Sequence, residues 1–213
     1  TPAPNYSGLE TFVVEVQDGI DSTTTAVNMT VTPVADQPTI SVDAANVATL
    51  EDTAVALGLN APVITDTAAG AGNNPVSERI GAITLTGLPV GAQLLDASDM
   101  LVHTVAAGPL TIVLTDVASV TGTTGTLSMT LAQYEALKVL PPLHDHANFT
   151  VTANVTSFEV DGTGAVIGTV AGAAATPTVV NVSVQAVTDD AQLLFNTGVT
   201  TGVTNVTGIA YTG

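Results

Sequence analysis

The chain has 213 residues, with 19 carboxylates set against Lys138 and Arg79 and a formal net charge of −17. That balance excludes a nucleic-acid partner, because nothing would neutralise phosphates, and it works against anionic membrane surfaces. With no cysteine there are no disulfides and no thiol chemistry, and no apolar run approaches the length of a membrane span.

Hydrophobic residues make up 46% of the chain while aromatics make up 3% and tryptophan is absent. The apolar content is therefore mainly Val, Ala, Leu and Ile, beside abundant Thr, and β-branched residues suit a pleated surface. The 19 glycines and 11 prolines punctuate it at short intervals, as an all-β fold requires. The length allows one large or two small domains with a buried core.

In chain order, ETFVVEV (10–16) and TTTAVNMTVTPV (23–34) alternate apolar and polar residues, which predicts two half-buried strands joined as a hairpin by DGIDS (18–22). Pro33 and Pro38 stop the pairing, since proline cannot donate to a ladder. Asp36 sits between them and a new strand begins at Thr39. Further strands are predicted at 39–43, 54–59, 80–88, 93–97, 101–105, 110–117, 125–131, 148–160, 165–170 and 178–187. Thr130 and Gln133 have capping-box spacing ahead of LAQYEALK, which predicts one short helix stopped by Pro141 and Pro142. After Asp189-Asp190, residues 190–213 read as the first strands of another unit.

These boundaries divide the chain into a closing hairpin of a preceding β-module (1–35), a main antiparallel β-sandwich with one crossover helix (36–189) and the opening of a following module (190–213). Such a chain reads as a piece of a longer, beaded polypeptide. The C-terminal stretch followed by the N-terminal one makes a continuous β-pattern, as head-to-tail repeats would.

Several phrases carry a resemblance: Asn5 to Gly19 at the close of a module, Val31 to Thr39 as linker, and Glu51-Asp52-Thr53 near the start of the next. Gly87-Leu88-Pro89 with Gly91-Ala92, then Leu131 to Pro142, then Asn148 to Gly162 follow in order. Together they resemble the cadherin-like or bacterial Ig-like repeats of giant type I-secreted adhesins of the RTX and biofilm-associated class. The chain departs from that pattern in a thinned acidic loop after Ile64, in a longer 93–124 region, and in lacking the glycine-rich calcium nonapeptides. The resemblance implies an extracellular module on a bacterial surface that extends an adhesin or filament. Its partners would be neighbouring repeats of the same polypeptide or identical subunits, without membrane insertion.

The resemblance also implies calcium at the joints between modules. Carboxylates gather where modules would meet, and calcium takes six to eight oxygens of this kind. The implied ligands are Asp36, Glu51, Asp52, Asp66, Glu159, Asp161 and Asp189. Ordinary turn acids are the plainer reading of each one singly, since Asp favours loops. His144 and His146 would share a face of a strand and could hold a transition metal. No third ligand is evident there, and solvated or Asp-paired histidines are the expectation.

Catalysis finds little footing. There is no G-x-S-x-G turn, and glycosidase carboxylates would lack the aromatic platforms that sugar sites use, so no enzyme is expected. Two other functions stay open beside the extender. One is a self-assembling sheath or strand-complemented filament subunit. The other is a module binding a peptide or glycan, which the scarcity of Trp and Tyr weakens.

Overall fold

The computed structural model describes residues 1, 6–65, 77–167 and 172–188. Two long strands come first, β1 (Gly8–Gln17) and β2 (Ser22–Val31). They pair antiparallel from Gly8↔Val31 to Gln17↔Ser22, the hairpin that the alternation predicts, but without the half-burial that it also predicts. Asp18 organises its turn, Oδ1 accepting the N–H groups of Ile20 at 3.1 Å and Asp21 at 2.9 Å. Gly19 there takes φ +100°, a backbone conformation closed to most side chains. Among the described residues neither strand pairs with any other. Every residue from Leu9 to Thr30 is exposed, so the hairpin is a free-standing ribbon.

The remaining strands are β3 (Asn46–Leu50), β4 (Val55–Ala56), β5 (Ser77–Ile80), β6 (Ile83–Thr86), β7 (Gln93–Leu95), β8 (Leu101–Thr104), β9 (Leu110–Leu114) and β10 (Leu127–Met129). After the helix α1 (Leu131–Glu135) come β11 (Lys138–Leu140), β12 (Phe149–Asn154), β13 (Thr156–Val160), β14 (Ala173–Ala174) and β15 (Thr178–Gln185). A six-stranded sheet runs β10-β9-β6-β12-β15-β3, a four-stranded one β4-β11-β7-β8, and a three-stranded one β14-β13-β5. The class is all-β, as expected. Pairing is antiparallel except at β9–β10 and at β15–β3, where strands run parallel.

Period-two burial builds the core. Leu110, Ile112 and Leu114 of β9 point inward, as do Val151 and Ala153 of β12 and Val180, Val182 and Val184 of β15. They meet Leu94 of β7, Val139 of β11 and Leu57, Tyr134 and Leu137 in one apolar cluster. Each fully buried Val or Leu contributes about 1.5–3 kcal/mol relative to exposure. Gly87, at φ +82°, lies where a Cβ would stand 1.9 Å from the Thr150 carbonyl oxygen. Only glycine lets β6 end that close to β12.

Several expected elements change shape. The 39–43 stretch makes only isolated bridges, Thr39↔Val63 and Val42↔Leu59. The 80–88 run breaks between β5 and β6, and the 148–160 run breaks at buried Val155. Both breaks let one run serve two sheets. The capping box forms, with Thr130 N–H donating to Gln133 Oε1 at 2.9 Å and Gln133 N–H to Thr130 Oγ1 at 3.3 Å. The helix nevertheless ends at Glu135, because Lys138–Leu140 leave it to pair with β7 and β4. Pro141 and Pro142 therefore stop a strand rather than the helix. From 165–170, Val166 makes one bridge to Val160, and 168–170 lie outside the described residues.

Tyr134 is fully buried and its hydroxyl has no protein hydrogen-bond partner among the described residues. Burial pushes its pKa well above the ordinary phenol value. An unsatisfied buried hydroxyl costs stability, so Tyr134→Phe is expected to leave stability unchanged or raise it by about 1 kcal/mol. Tyr134→Ala is expected to cost about 3–5 kcal/mol by opening a cavity. Urea unfolding of the two variants checks both.

Candidate functional site

The linker 32–38 carries the chain from the ribbon onto the body, and its contacts define the joint. Ala35 and Pro38 are buried. Asp36 is held at both ends of its backbone: its N–H donates to Glu78 Oε1, and its carbonyl accepts from Ser157 Oγ at 2.5 Å. Gln37 Nε2 donates to the Ala174 carbonyl at 3.0 Å. The Asp36 carboxylate itself stays at the surface, where Thr65 Oγ1 donates to Oδ2 at 3.4 Å.

Glu78 and Glu159 are the distinctive pair. The antiparallel register sets them directly opposite one another on β5 and β13, so their side chains share a face. They are 2% and 5% exposed. Like charges directly opposite are destabilising, and burial removes the water that would screen them. The two basic side chains are directed elsewhere. Lys138 Nζ pairs with Asp99 Oδ1 at 2.8 Å, while Arg79 projects from the other face of β5 and donates to the Ser119 carbonyl at 3.4 Å. Beside Glu159 and Asp36, a cleft of about 200 Å³ opens toward Tyr6, Ser7, Thr32 and Val34 at the ribbon's base.

The expected ligands thus fall into separate groups. Asp36 and Glu159 come together at this joint, with Glu78 as a member that sequence reading missed. Nothing in the tetrapeptide SERI distinguishes Glu78 as a ligand, and only the β5–β13 register reveals it. Asp161 lies nearby but holds its own turn, Oδ1 accepting from Thr163 N–H at 2.8 Å, Thr163 Oγ1 at 2.6 Å and Ala165 N–H at 3.1 Å. Those bonds, the Thr163 hydroxyl foremost, lower its pKa. Asp66 and Asp189 lie outside the described residues.

Glu51 and Asp52 sit apart from the joint, where β15 ends. Buried Glu51 accepts the Val187 N–H at 2.5 Å through Oε1, and His146 Nδ1 stands 4.0 Å from its Oε2. Asp52 accepts the His144 backbone N–H at 2.9 Å, and His144 Nδ1 lies 3.3 Å from Oδ2. Each histidine therefore faces a different carboxylate, His144 being paired with Asp52 rather than with its neighbour Asp145. Among the described residues no three His, Asp or Glu side chains converge closely enough to hold a metal ion.

The two ends are far apart. Val184 N–H donates to Asn148 Oδ1 at 2.8 Å, which fixes the exit beside the start of β12. The joint lies at the far end of β13. Gln37 of the linker also docks at Ala174 and Thr176, ahead of β15, so this eight-residue strand, roughly 26 Å at about 3.3 Å per residue, lies between arrival and exit. The chain thus reaches the body at one pole and leaves at the other.

Comparison of the chain with protein-family models, with curated proteins and with solved structures finds no match.

Because the pKa of Asp161 is lowered in the folded state, its contribution is complete above the ordinary Asp range. It is lost as pH falls below about 4, through the folded value. The wild type is expected to lose this increment in acid, whereas Asp161→Asn, which keeps the acceptor but cannot titrate, is expected not to. Thermal melts of both proteins from neutral to acid pH check the difference.

Proposed function

We propose that this chain is a structural extender from an extracellular adhesin or filament at a bacterial surface, stiffened by calcium at its joints. The observation that carries the reading is the placement of the chain's arrival and departure at opposite poles of the body. A module so threaded adds its full length to whatever precedes it. Residues 1–35 then close a preceding module, 36–189 form a sandwich of cadherin- or Ig-like type, and 190–213 open the next. The order of the phrases from Asn5 to Gly162 supports the same assignment.

Calcium suits the joint in the kind of donor present, and its binding would draw together three carboxylates that do not converge by themselves. Asp36, Glu78 and Glu159 offer carboxylate oxygens, the ligands a hard cation takes, and two of the three are buried face to face. A divalent ion there would neutralise like charges that the register sets opposite one another. Bound between linker and body, it would also restrain bending at Asp36. Glu51 and Asp52, at the other pole, would play the corresponding part toward the following module.

Calorimetry in millimolar calcium and in excess EDTA tests this. A ligand confined to the native state stabilises by about 2.7 kcal/mol at a hundredfold excess over Kd, so the melt is expected to rise by several degrees with calcium and not with magnesium. Glu78→Gln, which keeps an acceptor for the Asp36 N–H, is expected to shrink the calcium increment. Superimposable melts with and without calcium would remove the ion from the mechanism.

A further inference from the structure

We infer that the apolar face of the β1–β2 ribbon is an interaction surface for residues 191–213 of a second copy of this chain, so that copies join head to tail. The register puts Phe12, Val14 and Val16 on one face with Val27 and Met29 from the facing strand. The opposite face is more polar, with Thr11, Glu15, Gln17 and Asn28 around Leu9 and Val13, and Glu10 lies at the joint end of the apolar face. The ribbon is thus amphipathic in the manner of a strand pair that covers a core, yet its apolar face lies open. Phe12 is 50% exposed, Val16 61% and Met29 46%. A lone two-stranded hairpin is marginal in water, and a contiguous apolar patch of this kind marks a contact site.

Charge selects the occupant. A second ribbon laid on the same face would bring its Glu10, and the turn acids Asp18 and Asp21, to a surface that already carries these acids, a like-charge juxtaposition that opposes association. Residues 191–213 contain no Asp, Glu, Lys or Arg. In an extended backbone Val199, Val203, Ile209 and Tyr211 fall on one side, with Thr, Gly and Ala dominating the other. That stretch is long enough to run the length of a ten-residue strand.

Direction follows from the threading of the body. The linker docks ahead of β15 and the chain leaves past the far end of β15, so a copy stacked at that end presents its ribbon to residues 191–213. The inference rests on the extender reading for this stacking direction alone and makes no use of calcium.

Sedimentation velocity of the full chain, in calcium and in EDTA, tests it with Val14→Asp in the ribbon and Val203→Asp in the tail. The wild type is expected to form oligomers that grow with concentration in both buffers. Each variant alone is expected to stay monomeric. Their equimolar mixture is expected to give a dimer and nothing larger, because one partner retains a working ribbon and the other a working tail. Val27→Asp repeats the ribbon arm from the neighbouring strand, and Thr24→Asp, on the polar face, is expected to assemble like the wild type. A wild type that is monomeric at every concentration overturns the inference. So does a mixture that stays monomeric, or a Thr24→Asp variant that fails along with Val14→Asp. A calcium-independent melt with intact assembly would instead sink only the role of the ion.

Discussion

The strand line from Phe149 to Val160 is the constraint on which the rest of the body depends, because it belongs to two sheets at once. Its first half pairs with β6 and β15. Past the break at Val155 its second half pairs with β5 and β14. Alternation continues through the break, so Val151, Ala153 and Val155 enter one core. At one end the Asn148 side chain holds the backbone of β15, and near the other Ser157 holds the linker. One continuous covalent line thus joins the place where the chain arrives to the place where it leaves. Load applied along it meets ladder hydrogen bonds in both sheets, and no loop interrupts it.

A second constraint is electrostatic. With 19 carboxylates and two basic side chains, ion pairing cannot manage the acids, and backbone N–H groups do so instead. Asp18, Asp96, Asp145 and Asp161 each accept from the main chain of their own turns, and Asp116 accepts from the helical Leu131 N–H at 2.6 Å. Such bonds satisfy a carboxylate and order a turn together. Glu51 does the same over a long range by accepting from Val187. Glu78 follows the pattern by accepting the Asp36 N–H, yet the register also sets it opposite buried Glu159, and carboxylates placed face to face repel. They lie where the linker docks, and this ties the charge problem of the fold to its joint.

Much of the architecture was legible in the sequence, and the misses have physical causes. The hairpin at 8–31, the central strands and the capping box at Thr130 are local patterns, readable from alternation or from a fixed spacing. β3 escaped notice because Asn46–Leu50 follows an Ala/Asn stretch poor in β-formers. It exists as a strand because β15 offers it a parallel partner. Ala136–Lys138 complete the LAQYEALK phrase and so read as helix, and pairing of Lys138 with β4 and β7 overrode that local preference. The candidate site was half legible. Asp36 and Glu159 stand in recognisable phrases, whereas Glu78 became visible only through a register between distant strands.

The sequence by itself determined the all-β class, the ribbon with its Asp18 turn, the Pro-bounded joint and a surface hostile to anions. Each of these follows from side-chain period, from proline's missing donor or from net charge, all of which act locally or in sum. Tertiary structure alone decided which acids meet, which histidine faces which carboxylate, and that the two ends of the body lie at opposite poles. Those outcomes depend on strand order and register, which bring together residues far apart in the chain, and no local pattern encodes them.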